Sequence, residues 1–253
     1  MVWRYISYSC CIFISFTHGD AKAIGSSFKV DETIKGVDII FESSPGATAT
    51  RKVRSNSEFS KSEILATGPG GLCQISSSFH HSTIRLGSNT ILHWKNDSSW
   101  HLLDGSILVC KESKDPLTLF SVKGSATILG KCSFIAEATT NGGYKFICLS
   151  GQPDLRTDNG NTQIKAGRLV LVLGETNALG NAYDIDLLLL LKSSLLINAF
   201  EEPPATMKKI GLAVYSQQLK LKNKYNALIG DAPTDKNLQM WVLGKSGQEK
   251  ESD

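Results

Sequence analysis

From about residue 60 to residue 173, short apolar runs recur every 8 to 12 residues with turn-forming residues between them. This recurrence is the spacing of an antiparallel sandwich or barrel. The runs lie at 63–65, 72–75, 83–86, 90–94, 106–110, 117–122, 126–129, 133–136, 144–149, 163–165 and 168–173. Between them stand Gly68-Pro69-Gly70-Gly71, Gly87-Ser88-Asn89, Asp104-Gly105, Asn141-Gly142-Gly143 and Asp158-Asn159-Gly160. Glycine and asparagine suit these breaks because tight hairpins need a positive φ that a β-carbon penalises. Tyr144, Phe146 and Cys148 alternate with Lys145 and Ile147, which predicts one apolar face and one mixed face. The stretch 169–173 is apolar throughout, as expected of a strand covered on both faces.

The flanks read differently. Residues 24–59 are weakly patterned, with strands expected at 28–34 and 37–41 and a turn at Ser43-Ser44-Pro45-Gly46. Near residue 183 the pattern changes to Asp184-Ile185-Asp186 followed by five leucines, 187–191, and then Leu195-Leu196-Ile197. This is too long for an ordinary strand and predicts a buried helix begun by an Asp cap. Lys192, Ser193 and Ser194 interrupt it, which argues against a membrane span, and Pro203-Pro204 ends it. Thr206 is placed to cap a second helix in which Met207, Ile210 and Val214 share a face. The expected fold is therefore all-β, an antiparallel β-sandwich or a solenoid-like stack of short strands, with a small C-terminal helical appendage.

At the N-terminus, Arg4 precedes an apolar stretch, 10–16, and a polar segment ending in Ala21-Lys22-Ala23. This is the pattern of a cleavable secretory signal. Its apolar core is far below the roughly 20 residues that span a bilayer. The expected organisation is a signal peptide at 1–23, N-terminal strands and a loop at 24–59, a β domain at 60–175, a helical segment at 183–243 and a disordered tail at 244–253. Export places the mature chain in the periplasm or outside the cell, without a stable membrane span.

A net charge of +3 over 253 residues gives no electrostatic case for nucleic acid. The basic stretches Arg51-Lys52 with Arg54, and 208–224, read as solvated surface. Cys10 and Cys11 fall in the leader, leaving Cys73, Cys110, Cys132 and Cys148. These permit up to two disulfides in an oxidising compartment, or they serve as buried thiols; both readings stay open. No CxxC is present to suggest a zinc cluster.

Among the histidines, His93 and His101, with His80 and His81, suggest a cupin-like metal site, but the HxH pair and nearby Glu of such a site are missing. No GxSxG elbow nominates a nucleophile. Gly244-Lys245-Ser246 resembles the end of a phosphate loop but lacks its first glycine, with Gln239 in that place. Trp94 and Trp100 flank a polar loop, where they would either pack in the core or form a glycan-stacking platform. No residue is assigned a catalytic, cofactor-binding or metal-binding role.

Over residues 60–175 the chain resembles the extracytoplasmic domain of the FecR family, the ferric-citrate-type periplasmic sensors and their relatives. The resemblance is carried by an ordered series, Ile64-Leu65-Ala66-Thr67-Gly68, Leu86-Gly87-Ser88-Asn89-Thr90 and Leu102-Leu103-Asp104-Gly105-Ser106-Ile107-Leu108-Val109. It continues with Gly130-Lys131-Cys132-Ser133-Phe134-Ile135, Leu149-Ser150-Gly151 and Lys165-Ala166-Gly167-Arg168. Lys131 replaces the family's usual Thr, Phe134 falls one residue late, and Arg168 stands for Gln. These are scaffold positions, with glycines holding turns between stacked strands.

In membrane-bound FecR members a cytoplasmic helical segment restrains a sigma factor, and the β domain receives a signal outside. Here only the expected leader and short strands precede the β domain. The resemblance thus implies an exported, non-enzymatic sensing or interaction module of the cell envelope, linked to sigma-factor signalling through an unidentified envelope protein. The alternatives are a glycan-binding module using Trp94 and Trp100, and a cupin-type metal-dependent enzyme using His93 and His101.

Overall fold

The computed structural model describes residues 27–44, 47–77, 81–221, 228–231 and 239–242. The expected leader, the phosphate-loop-like Gly244-Lys245-Ser246 and the tail lie outside them.

The chain shuttles between two sheets, here sheets I and II, a strand or a pair at a time. β1 (Phe28–Ile34) and β4 (Glu58–Phe59) pair in sheet I, while β2 (Val37–Ser44) and β3 (Ala47–Lys52) pair in sheet II. β5 (Ile64–Thr67) joins sheet II, and the hairpin β6 (Leu72–Ser77) and β7 (Ser82–Leu86) returns to sheet I. β8 (Ile91–Asn96) and β9 (Ser99–Asp104) lie in sheet II and β10 (Ser106–Lys111) in sheet I. Next come β11 (Leu117–Phe120) and β12 (Ser125–Leu129) in sheet II, then β13 (Cys132–Ala138) and β14 (Tyr144–Gly151) in sheet I. β15 (Asp154–Thr157) and β16 (Gly160–Gln163) close sheet II, and β17 (Arg168–Val172) and β18 (Tyr183–Asp184) close sheet I. A separate hairpin, β19 (Leu228–Asp231) with β20 (Gln239–Val242), follows.

Each visit adds strands beside those of the previous visit. Sheet I therefore runs β4, β1, β6, β7, β10, β13, β14, β17, β18, and sheet II runs β3, β2, β5, β8, β9, β11, β12, β15, β16. The sandwich and the solenoid-like stack are thus one object, antiparallel except where β9 pairs with β11 in parallel. β3, β9 and β15 fall where no apolar run announces them, and of the run expected at 163–165 only Gln163 lies in a strand, β16, while Ile164 and Lys165 follow its end. The break expected at Asp104-Gly105 falls where φ of Gly105 is 77° and the chain crosses from sheet II to sheet I. A β-carbon there would run into Thr90. The Thr90 hydroxyl in turn donates to the Ser106 carbonyl at 3.1 Å and accepts from the Ser106 N–H at 3.0 Å, which satisfies the backbone at the crossing.

Two hydrophobic layers result. The first lies between the sheets and contains Phe28, Phe59, Ile75, Trp94, Trp100, Phe134, Phe146 and Val170. The second covers the outer face of sheet I, where Leu108, Ile135, Ile147, Leu149, Leu169 and Leu171 meet the helices. β17 is buried on both faces, as its apolar run predicts, and so is β14, where alternation predicts one mixed face but the helices cover Ile147 and Leu149.

Three helices form that outer layer: α1 (Leu187–Ser193), α2 (Leu195–Asn198) and α3 (Met207–Leu221). Asp186 caps α1, its Oδ1 accepting from the Leu189 N–H at 3.0 Å. Gln217 of α3 reaches to the same helix end, accepting from the Leu187 N–H at 2.9 Å and donating to the Ile185 carbonyl at 2.6 Å. The expected Thr206 side-chain cap does not form. Its hydroxyl is buried against the sheet, 2.5 Å from Ser133 Oγ and 3.1 Å from Cys110 Sγ, so it satisfies itself there. Among the described residues, no helix is long and apolar enough to cross a membrane.

Candidate functional site

Trp94 and Trp100 lie inside the sandwich, 0% and 4% exposed. They stack across β8 and β9 with ring centroids 5.5 Å apart and planes 7° from parallel. Phe28 meets both edge-on, at 4.9 and 5.0 Å. A stacking platform needs ring faces open to a sugar, and these faces are spent on each other and on the core. The glycan reading of this pair is therefore corrected to core packing. Trp100 keeps one further contact: with Phe28, Ile84, Val109, Lys111 and Leu117 it lines a cavity of about 420 Å³ between the sheets. Lys111 is held in that wall by the carbonyls of Ser113 and Gly130, both at 2.9 Å, and burial lowers its pKa from the ordinary 10.5.

Cys73, Cys110, Cys132 and Cys148 are all free and buried. Burial pushes the Cys73 and Cys132 thiols up to about 12, and raises Cys148 as well. Thiols so far from the thiolate form act as small apolar residues.

The two sheets differ on their outer faces. The helices close that of sheet I. On sheet II, strand alternation turns Ile39, Leu65, Leu92, Trp94, Leu102 and Leu119 inward, and Ile40, Ile64, His93, His101 and Phe120 outward. These five are in register: Ile40 opposes Ile64, Ile64 opposes His93, His93 opposes His101, and His101 opposes Phe120. They form one row across five strands, each half-buried by its neighbours. Ile91 and Leu103 add apolar surface beside it. The His101 and Phe120 rings meet at 6.4 Å, and the Lys95 ammonium lies 4.7 Å over the Phe120 ring. Burial first, and then neighbouring positive charge, holds both imidazoles below the ordinary 6.5.

His93 and His101 are thus brought together, but on an open sheet face and not in the mouth of a barrel. His80 lies outside the described residues, and His81 sits in a turn at φ 45°. Among the described residues, no group of three or more His, Cys, Asp or Glu side chains converges as a metal cage, and the cupin-type arrangement does not form. Alternation marks the inward and outward sets in the sequence, but the row itself needs the register of four separate pairings. A second exposed apolar set, Leu212, Tyr215 and Leu219, lies along α3.

No protein-family model matches this chain, and no curated protein sequence does. Two crystal structures of candidate anti-sigma factors from Parabacteroides distasonis ATCC 8503 are distantly similar. The first shares 11% identity at a TM-score of 0.39, over 48% of this chain and 59% of that one. The second shares 8% identity at a TM-score of 0.40, over 71% of this chain and 98% of that one. The chain thus spans less than two thirds of the first of these proteins. Likenesses of this size carry no functional assignment.

Proposed function

We propose that this chain is an exported, non-enzymatic sensing or protein-interaction module of the cell envelope, whose working surface is the outer face of sheet II. The observation that supports it is the asymmetry of the sandwich. Sheet I has its own helical cover, whereas sheet II presents Ile40, Ile64, His93, His101 and Phe120 as an in-register row with no described helix over it. A contiguous apolar face rimmed by polar residues is what a protein partner buries. Asp38, Glu42, Lys95 and Arg156, outward on the same sheet, supply that rim. The sigma-factor link and the location outside the cytoplasm rest on the FecR-like motifs and the N-terminal leader pattern.

The test is capture from an envelope extract of the producing cell with the tagged chain and with an I64K/F120K variant. Both positions face outward, so the variant should keep the circular dichroism of the parent. A specific envelope protein recovered by the parent and lost by the variant is the expected result. Recovery of no specific protein, or recovery indifferent to the two substitutions, overturns the reading.

A further inference from the structure

His93 and His101 stand directly opposite each other on antiparallel strands, on the same face. Side chains so placed have β-carbons about 5 Å apart. Two imidazoles that share a metal at about 2.0–2.1 Å per bond bring their nitrogens to about 3 Å. Opposed histidines span that gap from strand positions the sheet already holds fixed.

The His101 ring is also oriented. Its Nε2 lies 3.0 Å from the Ser121 carbonyl oxygen. A carbonyl only accepts, so Nε2 carries the hydrogen and Nδ1 keeps its lone pair. A backbone carbonyl holding the far nitrogen of an imidazole is the usual outer support of a metal-bound histidine, because it fixes the tautomer and the ring plane. The row is open on its outer side, so further coordination positions would be filled by water.

We propose that His93 and His101 form a two-imidazole site for a borderline transition-metal dication, Cu(II) or Zn(II), on the outer face of sheet II. Imidazole ligands suit these ions, whereas Mg(II) and Ca(II) need oxygen donors, which this row does not offer. Cu(II) should bind more tightly than Zn(II), following the general order of divalent affinities. The Lys95 ammonium beside Phe120 opposes the ion, so K95Q should tighten binding. The site does not depend on which protein docks on this face.

The test is calorimetric titration of the full chain with Cu(II), and separately with Zn(II), in a weakly competing buffer. The expected result is one saturable site, weakened ~10-fold or more in H93N and in H101N, with K95Q shifted the other way. Electron paramagnetic resonance of the Cu(II) form in an H80N/H81N background should show two equatorial imidazole nitrogens, and this readout needs no change at the site. Absence of saturable binding overturns the proposal. So does an isotherm unchanged in the H93N/H101N double variant, or a spectrum with fewer than two imidazoles.

Discussion

The guanidinium of Arg85, on β7, lies 4.4 Å from the centroid of the Phe200 ring, in the loop that follows α2. It is 1% exposed, and each of its three nitrogens donates to a named acceptor. Nε donates to Gln74 Oε1 at 2.7 Å, one terminal nitrogen to the carbonyls of Leu196 and Ile197 at 3.1 and 3.2 Å, and the other to the Glu202 carbonyl. The C-terminal end of a helix leaves carbonyls without partners, and a buried cation answers both their hydrogen-bonding need and their negative partial charge. Arg85 therefore fastens the helical layer to sheet I.

Replacing Arg85 by Met removes those donors and leaves buried carbonyls unpaired. The expected loss is on the order of 3 kcal/mol of stability, read as a lower midpoint in urea unfolding. Hydrogen exchange should quicken first over residues 195–202, before the strands of the sandwich. Arg85→Lys should not restore the parent, because an ammonium cannot reproduce the planar fork.

Gln217 carries a second long-range bond pair. Gln217→Leu keeps the volume but strands the Leu187 N–H and the Ile185 carbonyl, which the amide serves at 2.9 and 2.6 Å. The cost expected is ~2 kcal/mol. The double variant with Arg85→Met, measured as a mutant cycle, should show coupling, since both residues hold the helical layer in place.

The stacked tryptophans should behave as core residues. Trp94→Ala and Trp100→Ala should each cost about 3–5 kcal/mol, with Trp100→Phe milder. Near-ultraviolet circular dichroism of the parent should carry a strong aromatic signal that either alanine variant loses.

The thiols make a prediction for alkaline pH. Cys73 and Cys132 stand near 12 in the folded chain against an ordinary 9.0. Their folded pKa values are raised, so the contribution is fully present below pH 9.0 and is lost as pH rises from 9.0 toward 12. Each thiol can steepen the loss by up to ~1.4 kcal/mol per pH unit. Urea unfolding at pH 8 and pH 10 should show a shallower pH dependence in Cys73→Ala than in the parent. At pH 8, Cys73, Cys110, Cys132 and Cys148 of the native protein should also resist alkylation that they undergo in the urea-unfolded chain.

Much of the architecture was legible in the residues. Alternation at Tyr144, Phe146 and Cys148 placed those side chains inward, and they lie between the sheets. Asp186 announced the start of α1, and Pro203-Pro204 the end of the first helical segment. β9 was hidden because Ser99, His101 and Asp104 dilute its apolar set, although Trp100 and Leu102 are the inward residues of a normal strand. Thr206 was misread as a cap because the local pattern fits one, whereas Ser133 and Cys110, far off in sequence, claimed its hydroxyl.

The sequence by itself determined the strand periodicity, the turns and the apolar faces, because these follow from side-chain spacing and backbone φ preferences within a few residues. It did not determine which sheet each strand joins, since a period of two defines two faces without saying what each face meets. Only the tertiary structure set His93 against His101, buried Trp94 on Trp100, and sent Arg85 to the carbonyls of α2. Those relationships depend on register between distant strands and on the helices choosing sheet I, and both are settled by packing across the whole chain.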